Sequence, residues 1–257
     1  MRQHFWKYQA TGNDFIVIDE EELRFDLKDE DIIRSLCQRH LGIGSDGILV
    51  LAMQGDALNV EFLNPDGSRS FCGNGSRAAV RFAQEQEWIG HRVGFKAIDG
   101  SHEAQVVDDG IRISMRPVQY PVSKDEGEFL DTGSPHLVLE RDDVKVLDVK
   151  SLGAEVRYSE EWTKTGVNVN FLESCGPEHI YIRTYERGVE AETLSCGTGV
   201  TAAALYWANK QDMTEGRIQV DTLGGVLTVG FERNPNGFDS IYLEGPAKGV
   251  FEGFIEL

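Results

Sequence analysis

Short apolar-rich, β-like runs recur along the chain among polar stretches, punctuated by turn signals. They cover Phe15–Asp19, Val60–Leu63, Ile111–Met115, Val144–Val149, Ile180–Thr184, Gly225–Phe231 and Ile241–Glu244. In the third run Ile111, Ile113 and Met115 alternate with Arg112 and Ser114, the period of a half-buried strand. Asp-Gly, Asn-Pro and Pro-Asn-Gly sequences punctuate these runs as turns. Helical patterns are fewer. One spans Lys28–His40, with Ile32, Ile33 and Leu36 on one face behind an acidic first turn. Two more follow Cys72 and Cys196. The pattern predicts a strand-rich α+β protein.

Two of the predicted helices open on the same words. Residues 72–79 read CGNGSRAA and residues 196–203 read CGTGVTAA, a shared C-G-x-G-x-x-A-A almost half the chain apart. A repeat at that distance suggests two similar lobes rather than a solenoid, whose periods are far shorter. Each copy runs into helix-compatible sequence, AAVRFAQEQEW and AAALYWANK. Their small residues allow close packing against a sheet or another helix.

A cysteine leading a glycine-rich helix start has a definite chemistry. The first-turn N–H groups lack intrahelical partners and carry the positive end of the helix dipole. Glycines let a ligand approach that backbone, so the start favours an anion such as a carboxylate and activates the neighbouring thiol. Two such starts facing each other would place two thiols around one carboxylate-bearing carbon. One, as thiolate, removes the Cα proton; the other, as thiol, returns a proton to the opposite face. The helix starts meanwhile stabilise the charge building on the carboxylate. Inversion at carbon needs this two-sided arrangement, whereas a cysteine hydrolase needs only one thiol. Buried cysteines are otherwise commonly small apolar core residues. It is the matched pair that favours the chemical reading.

Other constellations carry less. Ser68 and Ser195 lack a G-x-S-x-G context. The GIGSDG of residues 42–47 lacks the Lys-Ser/Thr of a P-loop and does not fit a dinucleotide fingerprint. No H-E-x-x-H occurs among the six histidines. His136, in TGSPH, is placed to orient or exchange protons with a cysteine, although a lone His after Pro is commonly structural. Glu186 and Arg187, in YERG just before the second cysteine motif, read equally as site residues or as an exposed pair.

Charge narrows the partners. With 43 acidic against 25 basic residues the formal charge is −18, a field that repels nucleic-acid phosphates and anionic lipid heads. Small zwitterions are unaffected. The start, MRQHFWKYQATGNDF, has no apolar core or cleavage site of a signal peptide. No apolar run reaches membrane-spanning length. The four cysteines, at 37, 72, 175 and 196, make no metal spacing and no secreted disulfide framework. A reducing cytoplasm is the expected location.

At this point the motifs have a family likeness. KYQATGNDF (7–15), GIGSDG (42–47), NPDGS (64–68), CGNGSR (72–77), TGSPH (132–136), GVNVNF (166–171), RTYERGVEAETLSCGTG (183–199) and EGPAKGVFEGFIEL (244–257) occur in order over nearly the whole length. Together they resemble the diaminopimelate epimerase family. The resemblance implies two pseudosymmetric lobes, each a mainly antiparallel sheet wrapped around a central helix, with the active site in the cleft between them. The implied lobes are residues 1–116 joined by the C-terminal segment 246–257, and residues 117–245. It further implies interconversion of LL- and meso-diaminopimelate, on the route to lysine, without pyridoxal phosphate or metal, and homodimerisation at the family level.

Carried over by motif, Cys72 and Cys196 match the acid–base cysteines, and His136 and Glu186 match residues assisting proton movement. Gly73 with Asn74, and Gly197 with Thr198, match the helix starts that bind the reacting carboxylate. Asn13, Asn64, Asn168 and Arg187 match substrate-binding positions, the last three towards the distal end. Three departures stand out. The stretch from Asn64 to Cys72 is one residue shorter than usual, CGNGSRAA replaces CGNG-x-R-C, and Ser134 stands where many members have a substrate-contacting Asn. Two alternatives stay open: a racemase of the same fold for proline, hydroxyproline or histidine, and a non-catalytic binding protein. Asn74 stands where proline racemases usually carry His, and two intact cysteines disfavour pure binding.

Overall fold

The computed structural model describes all residues, Met1–Leu257. In chain order its elements are β1 (Arg2–Ala10), β2 (Asn13–Asp19), α1 (Glu30–Cys37), β3 (Gly47–Gln54), β4 (Ala57–Leu63), α2 (Gly73–Glu85), β5 (Arg92–Ala97), β6 (Gly100–Val107) and β7 (Gly110–Ser114). There follow β8 (Val118–Gln119), β9 (Val122–Ser123), β10 (Glu128–Asp131), β11 (Pro135–Glu140), α3 (Val149–Arg157), β12 (Asn168–Gly176), β13 (His179–Glu186) and β14 (Ala191–Thr193). The chain closes with α4 (Gly197–Lys210), β15 (Glu215–Thr222), β16 (Gly225–Asn234), β17 (Gly237–Gly245) and β18 (Lys248–Glu256). It divides into two compact units, Met1–Ile113 with Gly245–Leu257, and Ser114–Glu244.

In the first unit β1–β2 pair antiparallel, β2–β3 parallel, β3–β4 antiparallel, β4–β5 parallel, and β5–β6 and β6–β7 antiparallel. The last strand, β18, returns to lie antiparallel on β1. This sheet wraps α2, which touches β1, β2, β3, β4, β6 and β18. In the second unit β10–β11 pair antiparallel, β11–β12 parallel, β12–β13 antiparallel, β13–β15 parallel, and β15–β16 and β16–β17 antiparallel. That is the same order of pairings, now around α4. The eight-residue echo in the sequence is thus the visible part of a duplicated topology.

Each inner strand serves two cores, which explains its nearly continuous burial. In β2 and β3, Phe15 and Leu49 pack towards Gly75 of α2. Ile16, Ile18, Ile48 and Val50 point the other way, onto Ile33 and Leu36 of α1. In the second unit Leu137, Leu139, Val169 and Phe171 form the equivalent outer core with Val149 and Val156 of α3. On the opposite face, beside the apolar Val138 and Leu172, three buried neighbours break the apolar pattern: His136, Asn168 and Asn170. The central helices are buried on every side over Gly73–Val80 and Gly197–Leu205, as helices enclosed by a sheet must be.

Two elements differ from the sequence reading. Val144–Val149, read as a strand, is a short 3-10 turn at Val144–Val146 running into α3. Asp148 caps α3 by accepting from the Ser151 amide at 3.1 Å, a capping signal that outweighs a six-residue apolar run. The first helix is also shorter than Lys28–His40. It starts when the Asp29 carboxylate accepts from the Ile32 amide at 3.1 Å and ends where Gln38 turns extended. No helix is long and apolar enough to cross a membrane.

Candidate active site

Each unit contributes a cysteine at the start of its central helix. Cys72 and Cys196 are both N-cap residues in extended conformation, at φ −132° and −115°. Both accept the first intrahelical bond at 2.8 Å, from Ser76 and Val200 respectively. The starts then diverge.

At Cys72 the sulfur itself caps the helix, accepting from the Gly75 amide at 3.3 Å. Asn13 lies 3.8 Å from the sulfur through its amide oxygen, and that oxygen also accepts from Asn74 Nδ2 at 3.3 Å. Local sequence puts Asn13 there. Thr11 and Gly12 form a two-residue hairpin turn, both with positive φ, and Asn13 is the first residue after it. The Asn13 nitrogen donates to Asp46 at 2.6 Å, giving the GIGSDG motif a place in the structure. Asp46 and Asp14 share Arg39, and Lys7 pairs with Asp14 at 2.7 Å. Burial works against the Asp14 charge, but the bonds from Arg39 and Lys7 outweigh it and hold the carboxyl below its usual range.

Beneath this start lies Arg77, with none of its surface exposed. Its guanidinium donates to Asn74 Oδ1 at 2.9 Å, Thr11 Oγ1 at 3.2 Å and the Gly73 carbonyl at 3.3 Å, while Nε has no partner. Burial lowers its pKa to about 10, partly offset by attraction to the Cys72 sulfur. It remains a cation at neutral pH. The echoed position is Thr201, whose hydroxyl makes the same contact one turn back, to the Gly197 carbonyl at 3.0 Å. At this position one helix start is backed by a fixed positive charge and the other by a hydroxyl.

At Cys196 the sulfur lies 3.4 Å from the Thr198 hydroxyl, which in turn is 2.9 Å from His136 Nε2. His136 is fully buried on β11. Burial, with a smaller push from the Arg187 charge, lowers its pKa to about 3, so the ring is neutral. Its Nδ1 accepts from Asn170 at 3.1 Å. Glu186, at the end of β13, accepts from Thr193 at 2.9 Å. Arg187 donates its backbone N–H to Asn168 at 2.8 Å and its side chain to the Thr165 carbonyl at 3.0 Å.

The structure thus gathers Cys72, Gly73, Asn74 and Asn13 in one unit, and Cys196, Gly197, Thr198 and His136 in the other. Two of the candidate asparagines have their side-chain amides engaged within their own unit, Asn64 in its own turn and Asn168, at the start of β12, across to the start of β11. Asn64 donates to Ser68 and Ser70, each at 3.1 Å, closing the NPDGS turn on itself. Asn168 donates to Ser134 Oγ at 2.9 Å and the Pro135 carbonyl at 3.0 Å. Sequence reading did not single out Asp46, Arg77, Asn170 or Thr184. The strand period offered a signal for one: in GVNVNF it puts Asn170 on the same face as Asn168. No cluster of three or more His, Cys, Asp or Glu has the arrangement to hold a metal ion.

Two sheet-wrapped helices, each led by a cysteine, one in each unit, are the frame on which the site residues sit. The family model for diaminopimelate epimerase matches residues 5–121 and 129–250, and the chain belongs to that family. It is 42% identical to the diaminopimelate epimerase of Flavobacterium psychrophilum, covering 96% of this chain and 98% of that one. It is 40% identical to that of Aquifex aeolicus, covering 97% and 96%. Among solved structures, a Bacillus anthracis protein of the PhzF phenazine-biosynthesis family has the same fold, with TM-score 0.80 at 14% identity over all of both chains. An Agrobacterium vitis hydroxyproline epimerase matches with TM-score 0.70 at 13% identity, over 99% of this chain and 91% of that one.

Proposed function

We propose that this chain is a diaminopimelate epimerase, interconverting LL- and meso-diaminopimelate by two-base proton transfer. The observation that carries the reading is the duplicated helix start with a cysteine at each N-cap, in a chain of this family. The thiolate of one cysteine takes the Cα proton and becomes a thiol. The electron pair left behind delocalises into the adjacent carboxylate. The other thiol delivers its proton to the opposite face and becomes the thiolate. The N–H groups of the Gly73–Asn74 and Gly197–Thr198 starts bind that carboxylate, stabilising it most when its charge is greatest. Asn13 and Asn64 in the first unit, and Asn168 and Arg187 in the second, contribute to binding, while His136 and Glu186 assist proton movement. No pyridoxal phosphate or metal takes part. A reducing cytoplasm, which keeps both thiols intact, is the setting this chemistry requires.

The test is turnover in D₂O. Product should carry one deuterium at the inverted carbon, and Cys72→Ala and Cys196→Ala should each abolish epimerisation while the protein remains folded. Full activity in either variant would reject the two-base assignment. Running the same exchange on proline, hydroxyproline and histidine decides against a racemase of other specificity if only diaminopimelate exchanges.

A further inference from the structure

We propose that Asn170, held in place by Thr184, is a positioning residue that fixes His136 as its Nε2–H tautomer and so directs a file of hydrogen-bond donors at the Cys196 sulfur. One end of the Asn170 carboxamide faces the Leu137 carbonyl at 3.2 Å and the Asn168 carbonyl at 3.5 Å. Carbonyls only accept, so that end is the NH₂ group. The other end lies 2.9 Å from the Thr184 hydroxyl, which donates to it. Thr184 is the cross-strand partner of Asn170 in the β12–β13 ladder, and both residues are buried. Turned over, the amide would set its oxygen against the Leu137 and Asn168 carbonyls, acceptor to acceptor, and would give up the bond that Thr184 donates to Oδ1.

The same NH₂ group faces His136 Nδ1 at 3.1 Å, so Nδ1 must accept. Burial keeps the ring neutral, which leaves its single proton on Nε2. Nε2–H then donates to the Thr198 hydroxyl at 2.9 Å. Having accepted that bond, Thr198 has its own proton to give, and the sulfur of Cys196 lies 3.4 Å away. The file runs Thr184, Asn170, His136, Thr198, Cys196, each donating to the next. A sulfur at the receiving end is favoured as thiolate. The helix start is built to admit this file. A Cβ on Gly199 would stand 2.4 Å from Asn170 Oδ1 and 3.3 Å from His136, and Thr132 fixes the Thr198 backbone through its carbonyl at 2.9 Å. At the Cys72 start the sulfur meets the Gly75 amide at 3.3 Å and the Asn13 amide oxygen at 3.8 Å.

The tautomer stands on the hydrogen-bond geometry and the neutrality of the buried ring, whereas its effect on turnover rests on the epimerase reading. The experiment separates the two. In protein labelled with ¹⁵N-histidine, long-range ¹H–¹⁵N spectra report which ring nitrogen carries the proton, and His136 is identified by its loss in His136→Gln. We expect Nε2–H in the wild type and in Thr184→Ser, which keeps the hydroxyl. In Thr184→Val and Asn170→Ala the His136 signals should move towards a mixture of tautomers, with those of the other histidines unchanged as the check on folding. Alkylation of Cys196 by iodoacetamide at pH 7 should slow roughly three- to tenfold in both variants, the worth of one hydrogen bond. The kcat for diaminopimelate should fall alongside, with little change in KM. A wild-type Nδ1–H tautomer, or an unshifted one in both variants, overturns the proposal. So does a shifted tautomer with unchanged Cys196 alkylation. A wild type that exchanges no diaminopimelate would sink the epimerase reading, while the spectra and alkylation would still decide the tautomer.

Discussion

Arg77 illustrates how one side chain sets the character of a helix start. A guanidinium with no exposed surface is costly to bury, and it here donates to two side chains and a carbonyl that all frame Cys72. Its charge attracts the sulfur, so by reciprocity it favours the Cys72 thiolate. Arg77→Met should slow Cys72 alkylation at neutral pH roughly three- to tenfold, and Arg77→Lys should restore much of the rate. Relief of the buried charge and loss of partners by three acceptors oppose each other, so stability should change by less than about 2 kcal/mol. Unaltered alkylation in Arg77→Met, with the fold intact, would show the charge to be structural only. Arg187 acts on specificity. If it pairs with the distal carboxylate of the substrate, Arg187→Ala should raise KM for diaminopimelate roughly ten- to hundredfold. Any slow turnover of monocarboxylic amino acids should stay unchanged, and equal losses on both would remove it from that role.

Among the elements, the two central helices carry the same sequence signature but not the same tolerance. The second motif glycine is Gly75 in one and Gly199 in the other. A Cβ at Gly75 would meet Leu49, Cys72 and Phe15 at 3.3–3.4 Å, distances a small shift relieves. At Gly199 it would collide with Asn170 Oδ1 at 2.4 Å, an atom pinned from behind by Thr184. Gly75→Ala should therefore stay within about 1 kcal/mol of wild type in urea unfolding, since alanine also favours the helix. Gly199→Ala should reach the upper part of the roughly 1–3 kcal/mol that overpacking costs; equal effects would contradict the account. The motif itself was legible in the sequence because cysteines and glycines at fixed spacing are rare in helices, and β2, β4, β7, β13, β16 and β17 were legible as short apolar-rich runs between turn signals. The Val144–Val149 run was not, since a short apolar stretch looks alike in a strand and at the entry to a helix. Asp46, in the bend before β3, was not legible, and neither were the strand partners Asn170 and Thr184. Polar residues on a strand face become informative only when register sets them opposite one another, and register is not written in local pattern.

For the whole molecule, the buried polar groups predict that acid acts on the two units in different pH ranges. In the second unit His136 has its pKa lowered from 6.5 to about 3, chiefly by burial. Above pH 6.5 it is neutral whether folded or not and contributes no pH dependence. Below that, the unfolded chain binds a proton that the folded one refuses, so stability falls with pH by about 1.4 kcal/mol per unit until the folded pKa is reached. In the first unit Asp14 behaves as a paired carboxylate, held below its usual 3.8 despite burial by bonds from Arg39 and Lys7. Its contribution is complete above that value and is lost only as pH falls through the lower, folded pKa. The second unit should therefore begin to lose stability well before the first. Urea unfolding from pH 7 to pH 4, followed by hydrogen exchange in β11–β13 for the second unit and β1–β3 for the first, resolves the two. His136→Gln keeps a donor and an acceptor at the site but cannot titrate, so it should remove the slope between pH 6 and pH 4 whatever its effect on stability at pH 7. Parallel pH curves for wild type and His136→Gln would mean that the buried ring is not the source of the acid sensitivity.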